Sequence, residues 1–458
     1  MTTHNNKRLT ALLGVFASLA TLLASCGGFE KVDDPVARHL VLITVDTWRG
    51  DHFLQSRANQ RLTPYLEEFA KHSIVYSQAS SVSNCTSPGV AGILTGMLPQ
   101  HTGVIANSHF FPDQVPALAS TLSRNGFVTA AFISNPVLNK RYGFGRGFDT
   151  YRMLRGGKPK RKAPAALITT FALAWIDQHD ATDERLFLWL HYLEPHGPYD
   201  PPPATLELFP KEAFEAPRQI PLRSVGDQRG LGAVPYYQQS TSAEYPHDGR
   251  EYLSRYAAEV RSLDHDLNEL FGGLEERGIS QDAVLVLTSD HGEALAGDHG
   301  YFFSHGDLLT EDQTHVPLML SYPGCAGGTV SDRPVSTMDI APTVLNLLGV
   351  PTESKLDGRD LLSVRAESVP RTVATQAPKQ ISIRRGSWKL AWHQEGTLRL
   401  FHIDSDPNEL QDVAKKNPKI VAELRAELNR LRTTKPLAHP PHRQVNLVQE
   451  ARPNIPGQ

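Results

Sequence analysis

The chain contains several short, continuous apolar runs separated by segments whose apolar positions recur every three or four residues. Runs of this length and composition predict strands that are buried on both faces of a parallel sheet. The predicted strands are His39–Val45, Phe127–Ile133, Leu186–Tyr192, Ala283–Thr288 and one within His315–Pro323. Because helical segments alternate with these strands, we predict an α/β fold with a doubly wound, mostly parallel central sheet.

The segments between the strands carry helical periodicity or helix-boundary residues. A helix over Pro64–His72 has Thr63 as its predicted N-cap, since a hydroxyl can accept a hydrogen bond from the first turn. In the longest helical segment, apolar residues recur at spacings of three and four from Leu253 to Leu270. Further helices are predicted at Pro116–Gly126 and Asp339–Leu348.

The pattern changes after about Ser363, which predicts a second, smaller unit. Short segments here indicate a small antiparallel sheet, followed by a helix over Pro418–Arg432. We therefore predict a catalytic domain at residues 38–362 and a C-terminal α+β subdomain at 363–434. The Pro-rich stretch 435–458 has no periodicity and is predicted to be disordered.

The N-terminus predicts export and a lipid anchor. Two basic residues precede an apolar run that is too short to span a bilayer, which is typical of a signal peptide over residues 1–25. Its end, Leu-Ala-Ser-Cys, resembles the bacterial lipoprotein box, in which the cysteine, here Cys26, becomes lipidated. Residues 26–37 would then form a tether, and the protein would face the periplasm or the cell surface on a membrane. The alternative is an ordinary secreted protein in which Cys26 is incidental.

Composition excludes some classes of function. The net charge of −3 gives no reason to expect a nucleic-acid partner. With Cys26 lipidated, only Cys85 and Cys325 remain, which is neither a disulfide framework nor a cysteine metal cluster. The sequence does not establish whether these two cysteines form a disulfide.

Acidic and imidazole side chains follow two of the predicted buried strands. Asp46 comes directly after the first strand, and Asp290 and His291 come after the strand that begins at Ala283. Carboxylates from separate strands can converge on a divalent cation at the carboxyl edge of a sheet. An aspartate after a strand also commonly caps a helix or forms a turn, so both interpretations stay open at this point.

Ordered sequence blocks identify a resemblance to a known family. The blocks "VLITVDTWRGDH", "TSPGVAGILTG", "HTGVIAN", "HYLEPHGPYDPP", "SDHGEALAGDHG" and "HVPLMLSYPG" follow one another in the order found in sulfatases, a branch of the alkaline phosphatase superfamily. The resemblance extends from about His39 to Asp412. It implies an alkaline phosphatase-like fold and a metal-dependent ester hydrolase.

The resemblance also implies a metal site. By position, Asp46, Asp290 and His291 would bind a divalent cation that activates the nucleophile. Many sulfatases have a second aspartate beside the first, and Thr47 occupies that place here. The identity of the cation stays open among Ca²⁺, Mg²⁺, Mn²⁺ and Zn²⁺, although a histidine and a hydroxyl ligand fit Ca²⁺ less well than the others.

The resemblance assigns the nucleophile to Thr86 rather than to the adjacent Cys85. In the sulfatase motif C-x-P-x-R, the cysteine that becomes formylglycine lies two residues before proline and nine before the threonine of Leu-Thr-Gly. Thr86 has both spacings, to Pro88 and Thr95, and therefore would also be a metal ligand. Because Cys85 lacks this context, we do not expect it to be converted to formylglycine.

Three other polar residues are expected in the site by position. Asn107 would donate its amide to an oxygen of the tetrahedral centre, and His196 and His305 would contact that group or protonate the leaving oxygen. A second metal held by Glu194, His196 and His305 is an alternative role for these residues. His299 is expected to lie behind the residues that contact the metal or the substrate, or to be an ordinary loop histidine.

The sequence thus predicts a hydrolase of sulfate esters or chemically similar phosphate esters, acting on a small-molecule, glycan or lipid ester. A threonine ester, unlike a formylglycine hydrate, cannot expel sulfate from a geminal hydroxyl, so water or an acceptor must cleave it. One alternative is a phospho-group transferase of the same superfamily. The other is a non-catalytic lipoprotein that binds anionic glycans. This alternative is favoured because the chain lacks the Arg and Lys residues that usually serve a formylglycine.

Overall fold

The structure is a computed structural model that describes residues 35–156, 162–179, 181–215, 235, 238, 248–295, 298–352, 355–363 and 371–433. Its centre is an eight-stranded sheet. In spatial order the strands are β11 (Thr329–Ser331), β4 (Ile74–Tyr76), β10 (Leu318–Ser321), β9 (Ala283–Ser289), β1 (His39–Val45), β8 (Arg185–Tyr192), β6 (Phe127–Ile133) and β7 (Thr150–Met153). Only the two pairings of β10 are antiparallel, which confirms the predicted mostly parallel sheet.

Ten α-helices lie within the described residues. They are α1 (Pro64–Ala70), α2 (Thr86–Thr95), α3 (Pro99–Thr102), α4 (Leu118–Arg124), α5 (Ala165–Ile176), α6 (Pro203–Leu206), α7 (Gly249–Glu276), α8 (Glu311–Thr314), α9 (Ile340–Leu347) and α10 (Pro418–Thr433). Four two-residue strands pair outside the central sheet: β2 (Ser56–Arg57), β3 (Gln60–Arg61), β5 (Ala79–Ser80) and β12 (Val335–Ser336).

The central strand β1 shows why the sheet is doubly wound. All seven of its residues are buried, and successive side chains enter two different apolar clusters. Ile43 packs in the cluster that contains Tyr256 of α7, whereas Leu42 packs in the cluster that contains Ile93 of α2. Because successive strand residues point to opposite faces, a strand covered on both sides must be apolar throughout. The two layers of helices hold the carboxyl ends of the parallel strands in fixed positions.

Thr63 is the N-cap residue of α1, as predicted, but its side chain makes no capping hydrogen bond. Its hydroxyl accepts a hydrogen bond from Leu54 N (2.9 Å) rather than from α1. The first turn of α1 instead donates to Asp264 of α7, through Tyr65 N (3.1 Å) and Leu66 N (3.0 Å). A carboxylate offers two charged acceptors to the helix N-terminus where a hydroxyl offers one neutral oxygen, so the tertiary partner takes the place of the local cap.

The small C-terminal sheet is antiparallel, as predicted. It consists of β13 (Thr372–Ala377), β14 (Gln380–Arg385), β15 (Trp388–His393) and β16 (Leu398–His402), and α10 packs against it. A buried ion cluster joins it to the larger unit, because Lys389 Nζ lies 2.9 Å from Glu311 Oε1 and 3.0 Å from Glu409 Oε1.

Several predicted segments lie outside the described residues. These are the signal peptide, the lipidated Cys26, most of the tether and the tail at 435–458. Within the part of the chain that is described, no helix has the length and apolarity needed to cross a bilayer.

Candidate active site

The carboxyl ends of β1 and β9 bring two aspartates together. The backbone ladder continues past both strands, since Asp46 N donates to Tyr192 O (3.0 Å) and Asp290 N donates to Val45 O (3.1 Å). Asp46 and Asp290 therefore leave neighbouring strands at the same level of the sheet. His291 follows directly, and all three side chains are fully buried. The predicted convergence of strand-end residues is observed.

Helix α2 places Thr86 against this edge. Cys85 is the extended residue before the helix, and Thr86 is its first helical residue. Gly89, one turn later, packs on the backbone of Asp290 so closely that an added Cβ would lie 2.4 Å from the carbonyl oxygen. The same carbonyl accepts a hydrogen bond from the Ser81 hydroxyl. A glycine at this position is therefore what allows the N-terminus of α2 to reach the end of β9.

The donor atoms of this cluster fit a metal ion. Asp46, Asp290 and His291 each offer one ligand atom, and these atoms all lie within 4.8 Å of one another. His291 Nε2 lies 3.7 Å from Asp46 Oδ1 and 3.7 Å from Asp290 Oδ2. Neither of these carboxylate oxygens has a hydrogen-bond partner among the described residues, although both are buried. Buried, unpaired carboxylate oxygens are costly unless a cation compensates them, so the residues present fit a divalent ion.

The protonation of His291 also suits a ligand role. Its Nδ1–H donates to Gly292 O at 2.9 Å, which leaves Nε2 as the unprotonated nitrogen facing the carboxylates. Burial lowers the pKa of His291 to about 3, so the ring is neutral at neutral pH. The Thr86 hydroxyl lies 3.3 Å from this nitrogen. Four potential ligand groups thus meet at one point: two carboxylates, one imidazole and one hydroxyl.

The two aspartates have opposite pKa shifts. Burial and the nearby charge of Asp46 raise the pKa of Asp290 well above its ordinary value. Burial also opposes ionisation of Asp46, but the surrounding histidines, led by His196, outweigh it and lower that pKa. Like charges that share a site favour a proton or a cation between them, which is consistent with a metal-binding role.

His196 and His305 lie beside the metal-fitting group. The His305 ring centroid is 4.5 Å from that of His291 and 5.2 Å from that of His196. His305 Nδ1 lies 3.2 Å from Glu293 Oε1. Burial lowers the pKa of His305, but the Glu293 carboxylate outweighs burial and raises it above the ordinary value. His305 is therefore a candidate cation beside the metal-fitting group.

Asn107 contacts the first turn of α2. Its Oδ1 accepts a hydrogen bond from Ser87 N (2.8 Å), the residue next to Thr86. The side-chain carbonyl thus caps the start of α2, and the Nδ2 amide is the group that can donate to a ligand.

Three site residues were missed as functional candidates in the sequence. Asn135 donates to Asp46 Oδ2 at 2.5 Å, and His191 Nε2 lies 3.4 Å from the same oxygen. Glu293 contacts His305, as described above. Position was the one available signal: His191 is the penultimate residue of a buried strand, and Glu293 belongs to the strand-end cluster "SDHGE".

Other residues lie away from the site or have different partners. His299 Nε2 lies 2.9 Å from Asn408 O, which places it against the C-terminal subdomain. Glu194 is not part of the metal-fitting group, the one such group found in the described part of the chain. Thr47, at the place of a second aspartate, has a left-handed backbone (φ 57°) and donates its N–H to Asp290 Oδ1 at 3.3 Å.

Both cysteines described by the structure are free. Burial and the carboxylates of Asp290, Asp307 and Asp46 raise the pKa of the Cys85 thiol to about 12. A thiol with such a pKa is a poor nucleophile at neutral pH, because the thiolate is the reactive form.

The structure is an α/β fold in which buried side chains at the carboxyl edge of the sheet fit a metal ion. The family model described as "Sulfatase" matches residues 38–350, and the model "N-sulphoglucosamine sulphohydrolase, C-terminal" matches residues 297–434. The chain belongs to the sulfatase family. Membership in this family makes the chain a hydrolase of the sulfatase type.

Individual relatives are distant but cover nearly the whole chain. An ulvan-active sulfatase of Formosa agariphila is 22% identical over 92% of this chain and 87% of its own length. A choline-sulfatase of Rhizobium meliloti is 26% identical, with 83% of each chain covered. The phosphonate monoester hydrolase of Agrobacterium radiobacter has a similar fold, with a TM-score of 0.71 at 18% identity over 89% of this chain and all of that one.

Proposed function

We propose that this protein hydrolyses sulfate esters, or chemically similar phosphate esters, through Thr86 as the nucleophile. One observation carries the proposal: Thr86 Oγ1 lies 3.3 Å from His291 Nε2, beside two buried carboxylate oxygens that have no hydrogen-bond partner among the described residues. A hydroxyl placed on the ligand side of a metal-fitting group is the arrangement that nucleophilic catalysis requires.

Asp46, Asp290, His291 and Thr86 would hold the divalent cation. When bound, such a cation supplies positive charge that favours the alkoxide form of a hydroxyl and polarises the oxygens of the ester. The mixed oxygen and nitrogen donors favour Mg²⁺, Mn²⁺ or Zn²⁺ over Ca²⁺.

The first step is attack by Thr86 Oγ1 on the sulfur or phosphorus of the ester. The bond from that atom to the leaving oxygen breaks, the proton of the Thr86 hydroxyl passes through the neighbouring imidazoles to the leaving oxygen, and the sulfo or phospho group remains on threonine. Thr86 begins the ten-residue helix α2, so the positive end of the helix dipole favours negative charge at this position. His305, whose pKa the Glu293 carboxylate raises, provides positive charge or the proton.

The second step is attack by water on the threonine ester, which returns the Thr86 hydroxyl and releases sulfate or phosphate. A threonine ester has no geminal hydroxyl to expel the group, so water must be activated. The neutral imidazole of His196, whose pKa burial lowers, can accept the proton from that water. The Asn107 amide can donate to an oxygen of the transferred group.

The proposed substrate is an anionic glycan ester. This proposal is supported by similarity to the ulvan-active sulfatase and by the fold shared with a structure solved with its substrate D-glucosamine-2-N,6-O-disulfate (TM-score 0.71, 18% identity). A lipid anchor at Cys26 would place the enzyme on the periplasmic or outer face of a bacterial membrane, where such polymers are met. Palmitate labelling that is lost in Cys26→Ala would support this localisation, and labelling that persists would refute it.

The test is a panel of aryl sulfates and aryl phosphate mono- and diesters, each assayed with Mg²⁺, Mn²⁺, Zn²⁺ and Ca²⁺. We expect turnover of at least one ester that chelation abolishes, and a loss of kcat of about 10³-fold or more in Thr86→Ala. The matched variant Cys85→Ala should retain activity. Metal binding without turnover of any ester would refute hydrolysis and favour the glycan-binding alternative, whereas transfer to an added alcohol in preference to water would favour a transferase.

A further inference from the structure

The two oxygens of the Asp46 carboxylate have different environments. Oδ2 receives a hydrogen bond from Asn135 Nδ2 at 2.5 Å, and His191 Nε2 lies 3.4 Å away. Oδ1 has no hydrogen-bond partner among the described residues and lies 3.7 Å from His291 Nε2. All of these side chains are at least nine-tenths buried. One oxygen is therefore already occupied, and the other faces the metal-fitting group.

A second hydrogen bond, made by the carbonyl end of its amide, fixes the orientation of the Asn135 side chain. Asn135 caps the short helical turn that follows β6, and its Oδ1 accepts a hydrogen bond from Val137 N at 3.0 Å. Because the carbonyl end of the amide is engaged there, the NH₂ end must face Asp46. An amide is neutral, so it binds the carboxylate oxygen without cancelling the negative charge.

His191 is fixed in the same way. Its Nδ1 lies 2.8 Å from Thr44 Oγ1, which accepts a hydrogen bond from Trp189 Nε1 at 3.0 Å. A neutral ring that accepts from the Thr44 hydroxyl at Nδ1 carries its proton on Nε2, which can then donate to Asp46 Oδ2. β8 lies between β1 and β6 in the sheet. Residues at the ends of these three adjacent strands thus meet around one carboxylate. The parallel register that brings them together pairs His191 with Thr44 on one side and with Ile133 on the other.

We propose that Asn135 and His191 are positioning residues for the metal centre: they occupy Asp46 Oδ2 and thereby make Asp46 a ligand through Oδ1 alone. This inference rests on the proposed function, because it assumes that a cation binds at Asp46, Asp290 and His291. Partners of this kind orient a ligand and commonly affect metal affinity by about 10–100-fold. By orienting Asp46, Asn135 and His191 would also allow the site to bind a cation although Thr47 occupies the place of a second aspartate.

The chain provides a matched control for Asn135. Asn139 caps the next helical turn by the same contact, with its Oδ1 accepting from Arg141 N at 3.0 Å, but its Nδ2 faces Met153 Sδ rather than Asp46. Asn139→Ala therefore removes a comparable cap without touching the carboxylate. A difference in Mn²⁺ affinity between Asn135→Ala and Asn139→Ala therefore measures the contact to Asp46 separately from the loss of the cap.

The experiment is calorimetric titration of the purified, metal-free protein with Mn²⁺, with thermal unfolding in EDTA as a measure of folding. We expect Asn135→Ala to weaken Mn²⁺ binding by about tenfold or more, and Asn139→Ala to leave it unchanged. His191→Ala should weaken binding as well, and His191→Gln, which places an amide nitrogen near the Nε2 position, should restore part of the affinity. The titration measures binding rather than turnover.

Two outcomes would overturn the inference while leaving the proposed function intact. The first is unchanged Mn²⁺ affinity in a folded Asn135→Ala protein. The second is an equal loss in Asn139→Ala, which would make the effect one of capping. If the unmodified protein binds none of Mn²⁺, Mg²⁺, Zn²⁺ or Ca²⁺, the proposed function itself fails.

Discussion

Thr86 Oγ1 lies 3.3 Å from His291 Nε2, although 205 positions separate the two residues in the chain. The contact exists because the N-terminus of α2 packs directly on the end of β9. It places a hydroxyl beside the imidazole nitrogen that also faces Asp46 Oδ1 and Asp290 Oδ2. The proposed nucleophile and the proposed metal ligands therefore lie in one buried cluster.

Metal removal should destabilise the protein, and Asp290→Asn should partly reverse that effect. Two buried carboxylates face each other in the metal-free protein, and burial together with Asp46 raises the pKa of Asp290. A cation at about 100 times its Kd stabilises the folded state by about 2.7 kcal/mol. We expect EDTA to lower the unfolding midpoint of the unmodified protein. Asp290→Asn should unfold at a higher temperature than the unmodified protein in EDTA, and should gain nothing from Mn²⁺. Equal midpoints with and without metal in the unmodified protein would contradict the assignment.

Gly89→Ala should disrupt the contact between α2 and β9. The added methyl group would lie 2.4 Å from the Asp290 carbonyl oxygen, which is backbone and cannot rotate away. We expect a loss of about 1–3 kcal/mol in the free energy of unfolding, and a lower kcat because Thr86 shifts from the ligand cluster. Denaturant unfolding and steady-state kinetics measure the two effects.

Gly272→Ala is the matched control for Gly89→Ala. Gly272 is also helical, in α7, but nothing lies within 4 Å of an added Cβ. Since alanine favours helix over glycine by up to about 1 kcal/mol, this variant should be neutral or stabilised and fully active. A Gly89→Ala protein that behaves like the Gly272→Ala protein would refute the close approach.

The sequence predicted the strands more reliably than the contacts among their ends. Continuous apolar runs set β1 and β6 to the residue, because strands covered on both faces have no other way to be buried. The strand-end rule placed Asp46 near Asp290. It could not reveal that Asn135 contacts Asp46, because that contact depends on strand order and on a turn of a few residues after β6. The sequence placed Thr63 at the N-cap of α1, but it could not reveal that Asp264 of a distant helix, and not the Thr63 hydroxyl, accepts from the first turn.

The buried ion cluster at the C-terminal subdomain predicts an acid-sensitive stability. Burial alone would raise the pKa of Glu311, but Lys389 and Arg384 outweigh it and lower that pKa. A carboxyl group whose pKa is lower in the folded than in the unfolded protein stabilises the fold fully at pH values above its unfolded-state pKa. This stabilisation is lost as the pH falls towards the lowered, folded-state pKa. We expect the free energy of unfolding to fall more steeply from about pH 5 to about pH 3 in the unmodified protein than in Glu311→Gln. Parallel pH profiles in urea unfolding would contradict this.

The Cys85 thiol should be unreactive in the folded protein. Burial and neighbouring carboxylates raise its pKa to about 12, so the thiolate is scarce at neutral pH. We expect iodoacetamide at neutral pH to leave Cys85 unmodified and activity intact, and to modify Cys85 once the protein is denatured. Peptide mass spectrometry measures the labelling. Rapid modification of the native protein with loss of activity would instead assign a catalytic role to this cysteine.

The most direct test of the account is to find which side chain carries the transferred group. The protein is mixed with the most reactive ester of the panel, quenched in acid, and the peptide that contains Cys85 and Thr86 is sequenced by tandem mass spectrometry. We predict a sulfo or phospho group on Thr86, an unmodified thiol at Cys85, and no adduct in Thr86→Ala. Formylglycine at position 85, or an adduct on Cys85, would contradict the assignment of Thr86 as the nucleophile.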